Sequence, residues 1–296
     1  MNPHEFADRA GVTFAVVLSG KNKYFSRSVE SPGFDDLVDD MELAAPRITG
    51  EGQFELVART GAGQLDPAFY VTQWLGEDRP TLIYHHGSGE RPFDFRPWSG
   101  NTFRRIFLAG KLPPVNLIVL RAPFHTLPRM LFYRAMGELS AFTAMLAVSV
   151  RLMENLVRYL RERGHERIVL AGISLGGWAV NRHRARFNSA DVYLPMLAGT
   201  EMAEIFFEGT YSRMTGRVAR SDPGAVRRAL NFRETFLRVP DNNVFPLLAR
   251  FDALTPLERH RRGYGGRPVE ILERGHITAA RDGNGLREYI RRRLFP

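Results

Sequence analysis

An α/β fold built on a mainly parallel sheet is predicted by three observations. Short β-rich runs alternate with amphipathic stretches along most of the chain. One long segment carries apolar residues at helical spacing, and one apolar run passes directly into a glycine-serine-glycine turn followed by a helical pattern. The candidate strands are 53–58, 69–75, 81–85, 116–120, 167–171, 190–194, 244–250 and 268–272. The first two, with Gly61-Ala62-Gly63 between them, read as an antiparallel pair. Helices separate the later ones. The strongest helix is 134–163, where Leu139, Phe142, Leu146, Val150, Met153, Leu156 and Leu160 share one face. Its last turn carries Arg161 and Arg163 before Gly164, as the helix dipole and C-cap favour. Further helices follow Ser174 and cover 285–294, whereas 199–242, rich in aromatic and charged residues, interrupts the alternation. The first 45 residues show only a possible strand or helix at 12–18.

At 296 residues, 44% hydrophobic and 25% charged, the chain can bury a large core; disorder, collagen and coiled coil are excluded. The uncharged stretch 139–150 is shorter than the roughly 20 apolar residues that span a bilayer, so no membrane span is expected. Glu5 and Asp8 precede the first apolar run, unlike a signal peptide, which gives a cytoplasmic expectation. With zero cysteines, disulfides, thiolate nucleophiles and cysteine-based metal sites are excluded, and covalent catalysis must use oxygen or nitrogen. The net charge of +9 comes almost wholly from arginine, since Lys21, Lys23 and Lys111 are the lysines. These arginines are spread along the chain and read as solvated faces, so no nucleic-acid partner is expected.

Function centres on Gly172-Ile173-Ser174-Leu175-Gly176 after the apolar run 167–171. A serine on a strained strand-to-helix turn brings the residues two before and two after it together, so Gly172 and Gly176 are needed there. The hydroxyl then projects from the carboxyl edge of the sheet. Serine needs a base to accept its proton and a third group to orient that base. His276 follows Gly275 just after the last candidate strand and fits the base; His4, His165, His183 and His260 read as surface residues, and His125 is a weaker candidate. Asp252, just past the strand 244–250, fits the acid better than Asp241, Glu270 or Glu273. The oxyanion hole requires two backbone N–H groups. Leu175 supplies one, and Ser88, in His85-His86-Gly87-Ser88 after a strand, the other; His86 and Gly87 shape that turn. His85 and His86 lack a third ligand at a recognisable spacing and no H-E-x-x-H occurs, so neither metal nor organic cofactor is expected.

The order Ser174, Asp252, His276, with His86-Gly87 after an earlier strand, resembles the α/β-hydrolase superfamily from about residue 50 to the end. That resemblance implies an eight-stranded, mostly parallel sheet with its second strand antiparallel and helices on both sides. It further implies an N-terminal extension over 1–48, a hydrolase domain over 49–296, and a helical lid at 199–242 between strands six and seven. The activity implied is that of a serine hydrolase acting on a carboxylic ester or related acyl compound through an acyl-enzyme. Phe93, Phe206, Phe207 and Trp178 are candidate pocket residues, the partner being a small acyl substrate. A peptidase or acyltransferase on the same triad is the alternative enzyme, and a non-catalytic module for anionic ligands the alternative class. A peripheral lipid-surface protein is a third, motivated by Phe93, Phe95, Trp98 and Phe103.

Overall fold

Eight strands lie side by side at the expected places: β1 (Gly52–Glu55), β2 (Ala68–Gln73), β3 (Thr81–His85), β4 (Asn116–Arg121), β5 (Ile168–Ile173), β6 (Val192–Met196), β7 (Leu247–Ala249) and β8 (Glu270–Leu272). Their spatial order is β1-β2-β4-β3-β5-β6-β7-β8, in a computed structural model that describes residues 2–111 and 113–295. Strand β2 runs antiparallel to both neighbours, and every other pairing is parallel.

Two prolines shorten strands relative to the hydrophobic pattern. Strand β1 stops at Glu55 because the next partner is Pro67, which accepts from Leu56 N–H but cannot donate to the ladder. The Gly61-Ala62 turn therefore closes a different hairpin, between Ala58–Thr60 and Gly63–Leu65, which joins Glu42–Leu43 in a small separate sheet. Within 244–250 only Leu247–Ala249 is a strand, since Pro246 offers just its carbonyl, to Glu270 N–H.

Side chains alternate between two apolar layers. Ile83, Ile118 and Leu170 face one core, and Leu82, Tyr84, Leu117 and Val169 the other. Helices cover both, so the central strands read as continuous apolar runs. The helices that position the site are α1 (Pro3–Ser19), α2 (Leu139–Arg161), α3 (Leu175–Arg186), α4 (His276–Arg281) and α5 (Gly283–Leu294). The predicted helix 134–163 is in fact two, Arg129–Ala135 and α2. At the break Met136 and Gly137 carbonyls accept from Phe25 and Arg27 N–H at 3.0 Å each. Only a distant segment could impose that interruption. Helix α2 is long and apolar enough to cross a membrane by length and composition, but 78% of its most apolar window is buried, the signature of a core helix.

Elements of residues 2–48 pack into the domain. Phe25, Phe34, Leu37 and Val38 belong to the same core as α2, and α1 packs against α4 and against Thr210–Met214. The segment 199–242 is wholly helical in its ordered elements, with Phe206, Phe232 and Phe236 buried. Three of its arginines are engaged: Arg227 binds Glu204 at 2.9 Å, Arg220 the Ser212 carbonyl, and Arg213 the Thr13 hydroxyl on α1.

Candidate active site

Ser174 has φ +52°, a conformation that costs a non-glycine residue free energy. The chain turns there from β5 into α3, and Ser174 N–H is held by the Met196 carbonyl on β6 at 2.8 Å. A Cβ on Gly172 would strike the Gly176 carbonyl, and one on Gly176 would strike the His85 carbonyl on β3. Both obstacles are backbone. Gly176→Ala is therefore expected to destabilise the fold by about 3 kcal/mol or more, read as a lower urea midpoint at unchanged slope. A loss under about 0.5 kcal/mol would show that the turn can relax.

A chain of hydrogen bonds runs from this serine into the protein. Ser174 Oγ lies 3.0 Å from His276 Nε2, and His276 Nδ1 lies 2.7 Å from Asp252 Oδ2. Asp252 sits beyond the end of β7, where its other oxygen accepts from Leu254 and Thr255 N–H at 2.8 and 2.7 Å. Thr255 Oγ1 donates to Oδ2 as well. Burial pushes the Asp252 carboxyl up, but the facing imidazole and the Thr255 donors outweigh it and hold it below its ordinary value. Burial pulls His276 down, and the charge of Asp252, its hydrogen bond and the charge of Asp8 together raise it above 6.5. An imidazole so placed has Nδ1–H toward Asp252 and its free lone pair toward the serine hydroxyl.

Asp8, on α1, is a site residue that sequence reasoning missed. It is completely buried and accepts from His276 N–H at 2.9 Å, Ile277 N–H at 2.8 Å and Ala253 N–H at 3.0 Å. One carboxylate thus ties the start of α4 to the loop holding Asp252. No local pattern marks it, because its partners lie some 245 to 269 positions away.

The turn after β3 faces Ser174 from the other side. Ser88 and Leu175 line one cavity with Ser174, and among the described residues no acceptor takes either N–H. His86 Nδ1 meets the Gly87 carbonyl at 2.7 Å and its Nε2 accepts from Ala122 N–H. His125, stacked edge-on against His86, accepts from Gly89 N–H. Burial holds His125 down at about 4 and His86 well below its ordinary range, so both remain neutral and fix the turn through both ring nitrogens. Glu90, also unanticipated, accepts from Gly87 N–H and Thr102 N–H, and burial lifts it to about 7.

The cavity beside Ser174 holds about 250 Å³ and is walled by Phe142, Trp178, Met202, Ile205, Phe206 and Leu254, with Tyr24 and Tyr211 also lining it and α1 across one side. Trp178 and Phe206 thus occupy the wall. Phe93 does not; it packs on Tyr70 beside Arg121 at the β2 edge. Phe207 is likewise outside, under the Arg227 guanidinium. Asp241, Glu270 and Glu273 pair with Asn188, Arg292 and Arg250. Three histidines read as surface residues are buried: His165 on Thr81, His183 beside Glu154 and Tyr193, and His260 under Trp178. Helical patterning in arginine-rich stretches concealed them.

A strand order of 1-2-4-3-5-6-7-8 with a serine on a left-handed turn after strand five defines the class: the chain has the α/β-hydrolase fold. Residues 84–219 match the profile of the family described as alpha/beta hydrolase domain containing 18. Acetyl xylan esterase 1 from a Thermoanaerobacterium species is similar in structure, with TM-score 0.55 and 13% identity over 92% of this chain and 97% of that one. An acetyl xylan esterase from a Paenibacillus species gives TM-score 0.51 and 14% identity over 99% and 95%. The 2,6-dihydroxy-pseudo-oxynicotine hydrolase gives 0.54 and 14% over 83% and 68%. At these identities the likeness concerns the fold. No curated protein matches the chain by sequence.

Proposed function

We propose that the protein is a serine hydrolase that cleaves a carboxylic ester or closely related acyl compound. The observation that carries this reading is the unbroken Ser174–His276–Asp252 hydrogen-bond chain, at 3.0 and 2.7 Å, opening on an apolar cavity. His276 takes the Ser174 proton as Oγ attacks the acyl carbonyl, and Asp252 stabilises the imidazolium that results. Leu175 and Ser88 N–H groups hold the oxyanion. His276 then gives the proton to the leaving oxygen, and water, deprotonated in turn by His276, releases the acid. The cavity, at about 250 Å³, lies below the ~300–1,000 Å³ of drug-sized pockets, which suits a single acyl group better than a peptide.

Activity-based labelling with a fluorophosphonate tests the reading. Modification mapped to Ser174, with hydrolysis of p-nitrophenyl acetate or butyrate, supports it; labelling at another serine refutes it. The pH profile follows from His276. Only the neutral imidazole accepts a proton, so kcat/KM should fall as pH drops through a value above the ordinary ~6.5. Asp252→Asn removes the main attraction for the proton and should move that limb downward while costing orders of magnitude in rate. An acid limb well below 6 in the wild type would contradict the pairing.

A further inference from the structure

Nine large apolar side chains are exposed among the described residues, and six lie on elements that contribute to one opening: Phe6, Phe14 and Val17 on α1, Met130 and Leu131 on the helix Arg129–Ala135, and Trp98 on the loop after β3, with Phe14 itself lining the opening. Val17 and Trp98 are 72% and 77% exposed. The two helices touch, and Phe14, Ser99 and Arg129 line an outer mouth of about 750 Å³. That mouth shares Ala15, Ser88, Gly89 and Tyr133 with the inner cavity of Ser174. Helix α1 therefore closes the cavity with Gly11, Val12 and Ala15 and shows Phe6, Phe14 and Val17 to solvent.

Cations stand among these side chains. Arg9, Lys21, Arg91 and Arg129 make no side-chain hydrogen bond or ion pair among the described residues, while the nearby carboxylates of Asp94 and Glu90 are committed to Arg96 and Thr102. Apolar residues that would enter an acyl layer, ringed by unpaired cations, match the composition of an anionic lipid surface. The loop aromatics contribute little to this: Phe103 is buried and Phe93 and Phe95 pack inward, leaving Trp98.

We propose that this face docks on an anionic lipid surface, so that the enzyme takes acyl esters presented there. The proposal rests on the hydrolase reading of Ser174 and deepens it by naming where the substrate resides. A protein partner seated here would close the mouth, whereas a lipid layer would meet it with substrate. Flotation with phosphatidylcholine vesicles, alone or with about a third phosphatidylglycerol, tests it. Wild type should float with the anionic vesicles, and about 0.5 M salt should weaken the association. Val17→Glu with Met130→Glu should reduce binding at least tenfold, and Arg9→Gln with Arg129→Gln should abolish the preference for anionic lipid. Val57→Glu, at an exposed apolar residue away from the mouth, should bind as wild type does. No flotation of wild type, or equal losses in Val57→Glu, overturns the proposal; so does a dimer in solution that Val17→Glu dissociates, which would make a second copy the occupant. Fluorophosphonate labelling of Ser174 without vesicles separates the two readings. Labelling with no flotation refutes only the docking, and absence of labelling refutes the hydrolase and the lipid-borne substrate together.

Discussion

Ser174→Ala should lower kcat by about 10⁴ to 10⁶ on any ester the wild type cleaves, and abolish fluorophosphonate labelling. The magnitude follows from the geometry: Oγ is the atom His276 Nε2 addresses at 3.0 Å, and among the described residues no other hydroxyl is bonded to that nitrogen. The fold should survive, because Ser174 Oγ bonds to His276 and the backbone N–H bond to Met196 is unaffected. Since members of a triad act as a unit, Ser174→Ala with His276→Ala should be little worse than either alone. Additive losses in steady-state kinetics would assign them separate roles.

Asp8→Ala carries the second large effect. It strips the acceptor from three N–H groups at once, those of Ala253, His276 and Ile277, in a place closed to water. Unsatisfied buried donors cost about 1–3 kcal/mol each, so a loss of about 3 kcal/mol or more in urea denaturation is expected. Rate should fall about 100-fold beyond any effect of unfolding, because both the base and the loop carrying its orienting acid lose their shared anchor and small displacements are costly. Asp8→Asn retains an acceptor and should be milder in kcat. It also removes a charge that raises His276, so its acid limb should move to lower pH. That shift separates a positioning role from mere support of the fold; an Asp8→Asn enzyme with an unmoved pH profile would remove Asp8 from the electrostatics of the site.

How much of this was legible beforehand depends on the reach of each interaction. The Gly172-Ile173-Ser174-Leu175-Gly176 turn was legible as a five-residue pattern: Gly172 is required by the backbone of Gly176 within the turn, whereas Gly176 is required by the His85 carbonyl of a neighbouring strand. The central strands were legible because burial on both faces demands unbroken apolar runs, and strand ends differ from the pattern mainly where a proline across the ladder, Pro67, or within it, Pro246, ends pairing early. The break in helix 134–163 was not visible, since helical spacing continues across it and only the carbonyl pairing to Phe25 and Arg27 reveals why the chain stops.

By itself the sequence determined the sheet, the strained serine turn and the pairing of a histidine and an acid with strand ends, because periodicity and sterics act on neighbours in the chain. Tertiary structure alone decided that α1 walls the cavity, that Asp8 anchors both His276 and the Asp252 loop, and that Phe93 and Phe207 stand outside the wall. It also decided that His165, His183 and His260 are buried. These outcomes join residues up to 269 positions apart, and which distant groups meet is set by the packing of whole layers rather than by any pattern within a single segment.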